Sequence, residues 1–109
     1  MKAKPDRKDY PVLRADDEYN SWRDVFYAVL HAHQLQVVLA ISFEPSNPTE
    51  YDCFRRINWW VYMVLTHTIK THDGKAIVYN HRHTYDARQV LYLLHAHYTV
   101  STTGVITAQ

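Results

Sequence analysis

This chain of 109 residues has few glycines, a single cysteine and no marked excess of either charge. Its two glycines are Gly74 and Gly104, whereas an all-β protein of this size usually needs many more for its tight turns. The single cysteine, Cys53, excludes a disulfide framework and a cysteine-based zinc site within the chain. Few turns together with 47% hydrophobic residues predict a small number of long helices.

Long hydrophobic runs are also absent. No apolar run approaches the roughly 18 residues that a membrane span requires. Residues 1–9 are mixed in charge and lead into no hydrophobic stretch, so a secretory signal is not expected. With 12 Lys and Arg against 11 Asp and Glu, the chain is far less basic than a dedicated nucleic-acid domain. These features predict a cytoplasmic protein that does not enter a membrane.

Apolar residues recur at steps of three and four in three parts of the chain, which predicts three main helices. The first helix, capped by Asn20 or Ser21, has on one face Trp22, Val25, Phe26, Val29, Leu30 and His33. The second, expected from about Thr49 to Lys70 with Asn47 or Thr49 as its cap, has on one face Phe54, Ile57, Val61, Val64, Leu65 and Thr68. The last, starting at Thr84 or Asp86, has on one face Ala87, Val90, Leu91, Leu94 and Tyr98.

Between these helices the pattern is less regular. Residues 35–43 are rich in Val and Ile and fit either a strand or a short helical turn. His72-Asp73-Gly74-Lys75 is typical of a turn, with Asp73 as a cap for a short helix at about residues 76–80. The prediction is an all-α fold, a small bundle of about four helices. It comprises a flexible tail at 1–9, a helical domain at 10–104, and a tail or truncated continuation at 105–109.

The residues suited to catalysis or metal binding are poorly placed for either. Histidines recur in pairs two residues apart: His31 and His33, His81 and His83, and His95 and His97. On a helix such a pair points about 200° apart and cannot share an ion, so only the loop pair His81 and His83 is a weak metal candidate. Cys53 has no histidine near it in sequence and is interpreted as a packing residue. We therefore predict no catalytic residue, no metal, no cofactor and no small-molecule substrate.

Two other groups of residues suggest binding surfaces. The second helix is apolar nearly all round, and its surplus side chains predict a self-association surface of Trp59, Trp60, Tyr62 and Met63. The middle of the chain is mildly basic, and with interleaved tyrosines it supplies candidate nucleic-acid contacts at Arg55, Arg56, Lys70, Lys75 and Arg82. Helix solubility is the simpler explanation of these basic residues.

Three stretches, in this order and spacing, resemble the capsid-type Gag domain of copia-like LTR retrotransposons. The first is Tyr10-Pro11-Val12-Leu13 followed by Tyr19-Asn20-Ser21-Trp22 and a helix to His31 and His33. The second is Asp73-Gly74-Lys75-Ala76-Ile77-Val78. The third is Asp86-Ala87-Arg88-Gln89-Val90, then Leu93-Leu94 and His97-Tyr98-Thr99-Val100-Ser101-Thr102. The resemblance covers roughly residues 10–104.

The resemblance implies an all-helical structural protein that assembles into a capsid-like shell around the RNA of the element. It also implies that the chain is the N-terminal part of such a domain, as a truncated or domesticated copy, because the family continues with more helices. No charged residue follows Arg88, which fits a domain that is incomplete on its C-terminal side.

Three functions are therefore weighed. The leading hypothesis is a non-enzymatic assembly module whose partner is another copy of itself. The alternative is a module that binds single-stranded nucleic acid. The third, a small metalloenzyme, needs histidines from different helices to converge on one ion. Protonation of eight histidines is a further candidate as a switch of assembly, since their ordinary pKa is near 6.5.

Overall fold

The computed structural model describes the backbone of residues 5–108 and the side chains of residues 5–99. Its helices are α1 (Tyr19–Ala32), α2 (Pro48–Thr68), α3 (His72–Tyr79) and α4 (Ala87–Ala108), and three short 3₁₀ turns occur at Arg7–Asp9, Asp16–Glu18 and Gln36–Leu39. Residues 5–108 contain no strand, only an isolated parallel bridge between Leu13 and Ile69. The prediction of an all-α fold with about four helices is confirmed.

The core forms where α4 packs on α2 and α3. The predicted stripe of α4 is confirmed in full, because its five members are all buried: Ala87, Val90, Leu91, Leu94 and Tyr98. The stripe of α1 is confirmed at Trp22, Phe26 and Leu30, but Val25 is 50% exposed. A period of 3.6 residues therefore located the inner faces of both helices, although it could not fix how wide each buried face is.

Local capping explains where two of the helices begin. Asn47 precedes α2, and its side-chain oxygen accepts a hydrogen bond from the Glu50 backbone N–H at 2.8 Å. Pro48 follows at the first helical position, where a missing N–H costs nothing. Asp86 accepts a hydrogen bond from the Gln89 N–H at 3.2 Å and so caps α4. Asn47 was one of the two predicted caps of the second helix, and Asp86 was one of the two predicted starts of the last helix.

The predicted start of α1 and the predicted turn before α3 are wrong. Helix α1 begins at Tyr19 without a side-chain cap, so neither Asn20 nor Ser21 has that role. Positions 72–75 form the first turn of α3, because the hydroxyl of Thr71 accepts a hydrogen bond from the Gly74 N–H at 3.2 Å. Gly74 is required by contact rather than by a turn.

Neighbouring side chains leave no room for a Cβ atom at Gly74. A Cβ atom added there would lie 2.5 Å from Ile69 Cγ2 and 2.5 Å from Thr71 Oγ1, and 3.7 Å from Leu94 Cδ2. The absence of a side chain therefore lets α3 pack against the end of α2 and against α4.

Parts of both predicted chain ends lie within the described residues. Residues 1–4 of the predicted tail lie outside the described residues, but 5–9 include the 3₁₀ turn and contact the domain. The Asp9 carboxylate lies 3.3 Å from His33 Nε2, and Arg7 Nη1 lies 3.2 Å from His67 Nε2. Helix α4 continues to Ala108, so the boundary predicted after residue 104 falls inside a helix, and Gln109 lies outside the described residues. No described helix has the length and hydropathy needed to cross a membrane.

Candidate functional site

The outer face of α2 carries the predicted self-association residues, but not all of them are on the surface. Trp59 is 48% exposed, and Trp60 and Met63 are half-buried. Tyr62 is only 3% exposed and donates a hydrogen bond from its hydroxyl to the Val78 carbonyl at 2.6 Å. Burial raises the pKa of the Tyr62 hydroxyl, which keeps it a neutral donor. Tyr62 therefore belongs to the contact between α2 and α3 and must be removed from the predicted surface.

Trp59 and Met63 lie one helical turn apart on α2 and form what we call the α2 ridge. A depression lies on each side of this ridge. The α2–α3 groove has a volume of about 440 Å³, and a second depression of about 560 Å³, the N-terminal groove, lies beside Pro5, Asp6 and Arg7. A projecting ridge between two hollows is the geometry that a second, similar surface can fill.

The N-terminal groove has an aromatic wall. It is lined on α2 by Trp59, Trp60, Met63 and Val64. Trp60 is held from behind by Tyr10, whose ring meets it edge-to-face at 5.9 Å between centroids. The 3₁₀ turn of residues 7–9 thus places Arg7 beside the exposed rings of α2.

The α2–α3 groove combines an apolar floor with tyrosines and two cations. Its floor includes Leu65, Ile69 and Val78. Tyr79 and Tyr85 stand at its edge, exposed by 60% and 43%. Lys75 and Arg82 complete the lining. The aromatic edge continues into the α2 ridge, because the Tyr85 ring lies 6.2 Å from that of Trp59.

The fold does not bring the five basic residues predicted to contact nucleic acid together in one place. Arg55 and Arg56 each lie 2.9 Å from a carboxylate oxygen of Asp52. The hydrogen bond from Arg55, aided by the charges of both guanidinium groups, lowers the pKa of the Asp52 carboxyl. Spacing of three and four residues on a helix would have indicated both pairs from the sequence. Part of the positive charge assigned to nucleic acid is therefore neutralised within α2.

The other three predicted contacts lie further along the chain. Lys75 and Arg82 line the α2–α3 groove, whereas Lys70 is exposed but is not part of that lining. The sequence had indicated neither Tyr79 nor Tyr85 as a site residue. Tyr79 lies four residues after Lys75 and three before Arg82, so helical spacing could have identified it as their neighbour.

The structure also shows where the candidate metal-binding histidines and Cys53 lie. Within the described residues, no three His, Cys, Asp or Glu side chains come together as ligands for one ion. The His81 ring Nδ1 lies 3.0 Å from the Ile77 carbonyl, and His83 is exposed. Cys53 is exposed, so its interpretation as a packing residue is wrong. The physical reason is that the fully buried residues of α2 begin at Val61, so its first turns have little covering them.

Comparison with family models, with curated proteins and with solved structures finds no match for this chain.

Proposed function

We propose that this protein is a non-enzymatic assembly module that associates with copies of itself through the α2 ridge. The observation that carries the proposal is the placement of Trp59, a large ring that is 48% exposed at the middle of the longest fully described helix and lines the N-terminal groove. Its neighbour on the ridge, Met63, lines both grooves. Trp and Tyr are the residues that most often dominate protein interfaces. An exposed apolar patch of this kind marks an interaction surface.

The geometry favours a symmetric pair. A twofold axis that brings each ridge against the N-terminal groove of the other copy buries both ridges and leaves the α2–α3 groove open. The same surface then serves both partners, so the chain needs no second partner type. Trp59 would lose its contact with water, and burial of an aromatic ring contributes the largest apolar area of any side chain type.

The chemistry of the face also supports binding rather than catalysis. The hydroxyl of Tyr62, nearest to the groove floor, already donates to a backbone carbonyl at 2.6 Å. The guanidinium groups around the ridge already have partners, because Arg55 and Arg56 each lie 2.9 Å from an Asp52 oxygen and Arg7 lies 3.2 Å from His67 Nε2. Assembly around an element RNA, which the Gag resemblance implies, is the wider function that such a module would serve.

Sedimentation velocity over a wide range of protein concentrations tests the proposal. We expect the chain to form dimers or larger species as the concentration rises. The double variant Trp59→Ser with Met63→Ser is expected to weaken association by at least about tenfold, since each interface anchor contributes on the order of 1–2 kcal/mol or more. A wild-type chain that stays monomeric at the highest concentration would refute the proposal.

Tyr92→Ser is the matched control, because Tyr92 is a similarly exposed ring (52%) on α4. Its loss should leave the association constant unchanged. If Tyr92→Ser weakens association as much as the ridge variant does, the contact surface is not the α2 ridge. Circular dichroism of both variants then shows whether each is still folded.

Binding of single-stranded nucleic acid is the second candidate, favoured by Lys75 and Arg82 beside the exposed ring of Tyr79. This function predicts oligonucleotide affinity that falls steeply as salt rises. The pairing of Arg55 and Arg56 with Asp52 counts against it, because those two cations are partly neutralised. Absence of any complex with oligouridylate at low salt would eliminate this candidate.

A further inference from the structure

The α2–α3 groove has features that self-association through the ridge does not use. Its volume of about 440 Å³ lies in the range of sites that hold small molecules, roughly 300–1,000 Å³. Its floor of Leu65, Ile69 and Val78 is apolar. Such a floor favours an alkyl chain or a single ring over a sugar or another polar group.

The charges of the groove have one sign. Lys75 and Arg82 are its only charged lining residues, and none of the ion pairs among the described residues includes either of them. Arg82 is positioned rather than free to move, because its guanidinium carbon lies 3.9 Å from the Tyr79 ring centroid and its Nη1 donates to the Tyr79 carbonyl at 3.0 Å. The polar complement of this groove is therefore an anion.

The wall of the groove is held in a costly backbone conformation. Tyr85 has a φ of 53°, a left-handed conformation that a bulky residue rarely adopts. Its ring is nevertheless 43% exposed and meets the Tyr62 ring edge-to-face at 5.6 Å. Strain of this kind persists where the surrounding structure fixes it, and it is most frequent at binding sites. In this protein the left-handed backbone conformation places the Tyr85 ring at the mouth of the groove.

We propose that the α2–α3 groove binds a small soluble organic anion, with an apolar body on the Leu65–Ile69–Val78 floor and an acidic group at Lys75 and Arg82. A carboxylate or sulfonate on a short alkyl chain or a single ring has this chemistry. The Tyr62 hydroxyl donates to Val78 and adds no selectivity for a neutral polar group. The two cations therefore decide which amphipathic molecules bind.

Decanoate is the probe for this site, and decanol is its neutral match. Amide chemical shifts of the ¹⁵N-labelled full chain are recorded as each is added. We expect decanoate to shift amides of α3 and of the C-terminal half of α2, and decanol to bind at least about tenfold more weakly, as the loss of a charge-assisted contact implies. Equal affinity for the two probes, or shifts that centre on another part of the chain, would overturn the proposal.

Charge reversal locates the acidic end. The variant Lys75→Glu should bind decanoate at least about tenfold more weakly. Lys70→Glu is the matched control, because Lys70 is an exposed cation outside the groove lining, and its affinity should be unchanged. Both variants change exposed positions, and their amide spectra report directly whether they fold. An equal loss in Lys70→Glu would show that only the overall charge matters, which contradicts the proposal.

Two other occupants are distinguished in the same experiment. The amide shifts of the chain are also recorded as oligouridylate or phosphatidylglycerol vesicles are added in place of decanoate. Binding of either of these at the groove without binding of free decanoate would overturn the assignment to a small soluble anion. Because none of these variants changes Trp59, sedimentation velocity on them tests self-association separately, and the two proposals can fail independently.

Discussion

Two clusters of aromatic rings in this small domain have opposite environments. The inner cluster is centred on Phe26, with Tyr10 and Trp22 at 4.8 Å and 4.6 Å between ring centroids, and all three are buried. The outer cluster lies along α2 and the segment that follows α3, where Trp59 and Tyr85 are both more than 40% exposed. The same residue types therefore build the core in one region and leave an accessible surface in the other.

Two rings in and beside the inner cluster have hydrogen-bond partners within the domain. In the inner cluster the Trp22 N–H donates to the Pro11 carbonyl at 3.0 Å. At its margin the Tyr98 hydroxyl donates to Asp16 at 2.7 Å. These two hydrogen bonds offset the cost of burying the polar atoms of Trp22 and Tyr98. The comparison teaches that aromatic content alone does not indicate an interface; the unsatisfied surface around a ring does.

Truncation of one ring from each cluster gives the largest contrast. Phe26→Ala should lower the free energy of unfolding by about 3–5 kcal/mol, because it leaves a cavity among close-packed rings. Trp59→Ala should lower it by about 1 kcal/mol or less, since that ring is half exposed and has one edge-to-face partner. Urea denaturation at a protein concentration below that of association measures both. Comparable losses in the two variants would place Trp59 in the core.

Gly74→Ala tests how closely α3 packs against its neighbours. The same helix borders the α2–α3 groove with its other side. We expect a loss of about 1–3 kcal/mol, because the new Cβ would lie 2.5 Å from Ile69 and Thr71 side-chain atoms. At an exposed helical position alanine is favoured over glycine by about 1 kcal/mol, so Ala76→Gly on the same helix is the control and should lose about that amount. A gain in stability from Gly74→Ala would mean that α3 does not pack as closely as described.

The smallest expected effect is a loss of folding stability at alkaline pH, where the buried tyrosines ionise. Burial, followed by the hydrogen bond and charge of Asp16, raises the pKa of Tyr98 from 10.0 to about 12. The folded state therefore holds this proton more tightly than the unfolded state. The resulting stability is complete below pH 10 and is lost as the pH rises towards 12. Burial also raises the pKa of Tyr10 and Tyr19, so they act in the same direction.

Urea denaturation from neutral pH upward, on the wild type and on Tyr98→Phe, measures this effect. The variant should lose about 1 kcal/mol at neutral pH for its missing hydroxyl and show a shallower fall above pH 10. Tyr92→Phe changes an exposed ring and should leave the curve unaltered. Identical alkaline slopes for wild type and Tyr98→Phe would assign the fall to other tyrosines.

Much of the fold could be predicted from particular residues. The stripe of α4 was located completely because one face is apolar and regular spacing suffices to find it. Asn47 was foreseen as a cap and Asp86 as a possible start of the last helix, because their side chains can accept hydrogen bonds from the first N–H groups of a helix. The start of α3 was missed because Asp73-Gly74 is typical of a turn. The cap, Thr71, is a local signal that was available from the sequence, whereas the contact of Gly74 with Ile69 depends on how the helices pack.

The candidate site could be predicted only in part. Of the four residues predicted to form a self-association surface, Trp59 is exposed, Trp60 and Met63 are half-buried and Tyr62 is buried, and the association itself stays a prediction. The periodic face predicted for α2 left Tyr62 out, because a helix that is apolar nearly all round does not show how wide its buried face is. The pairing of Asp52 with Arg55 and Arg56 was available from the spacing, but the union of Lys75, Arg82 and two tyrosines in one groove was not, because α3 had to be placed first.

The amino-acid sequence by itself determined that this chain is helical and which stripes of α1 and α4 are buried, because hydrophobic periodicity and capping act over a few residues. The tertiary structure decided how far the buried face of α2 extends, because it adds Tyr62 to that face and leaves Trp59 48% exposed. That outcome depends on where α3 and the N-terminal segment pack, and packing is a property of surfaces brought together across the fold rather than of neighbours along the chain.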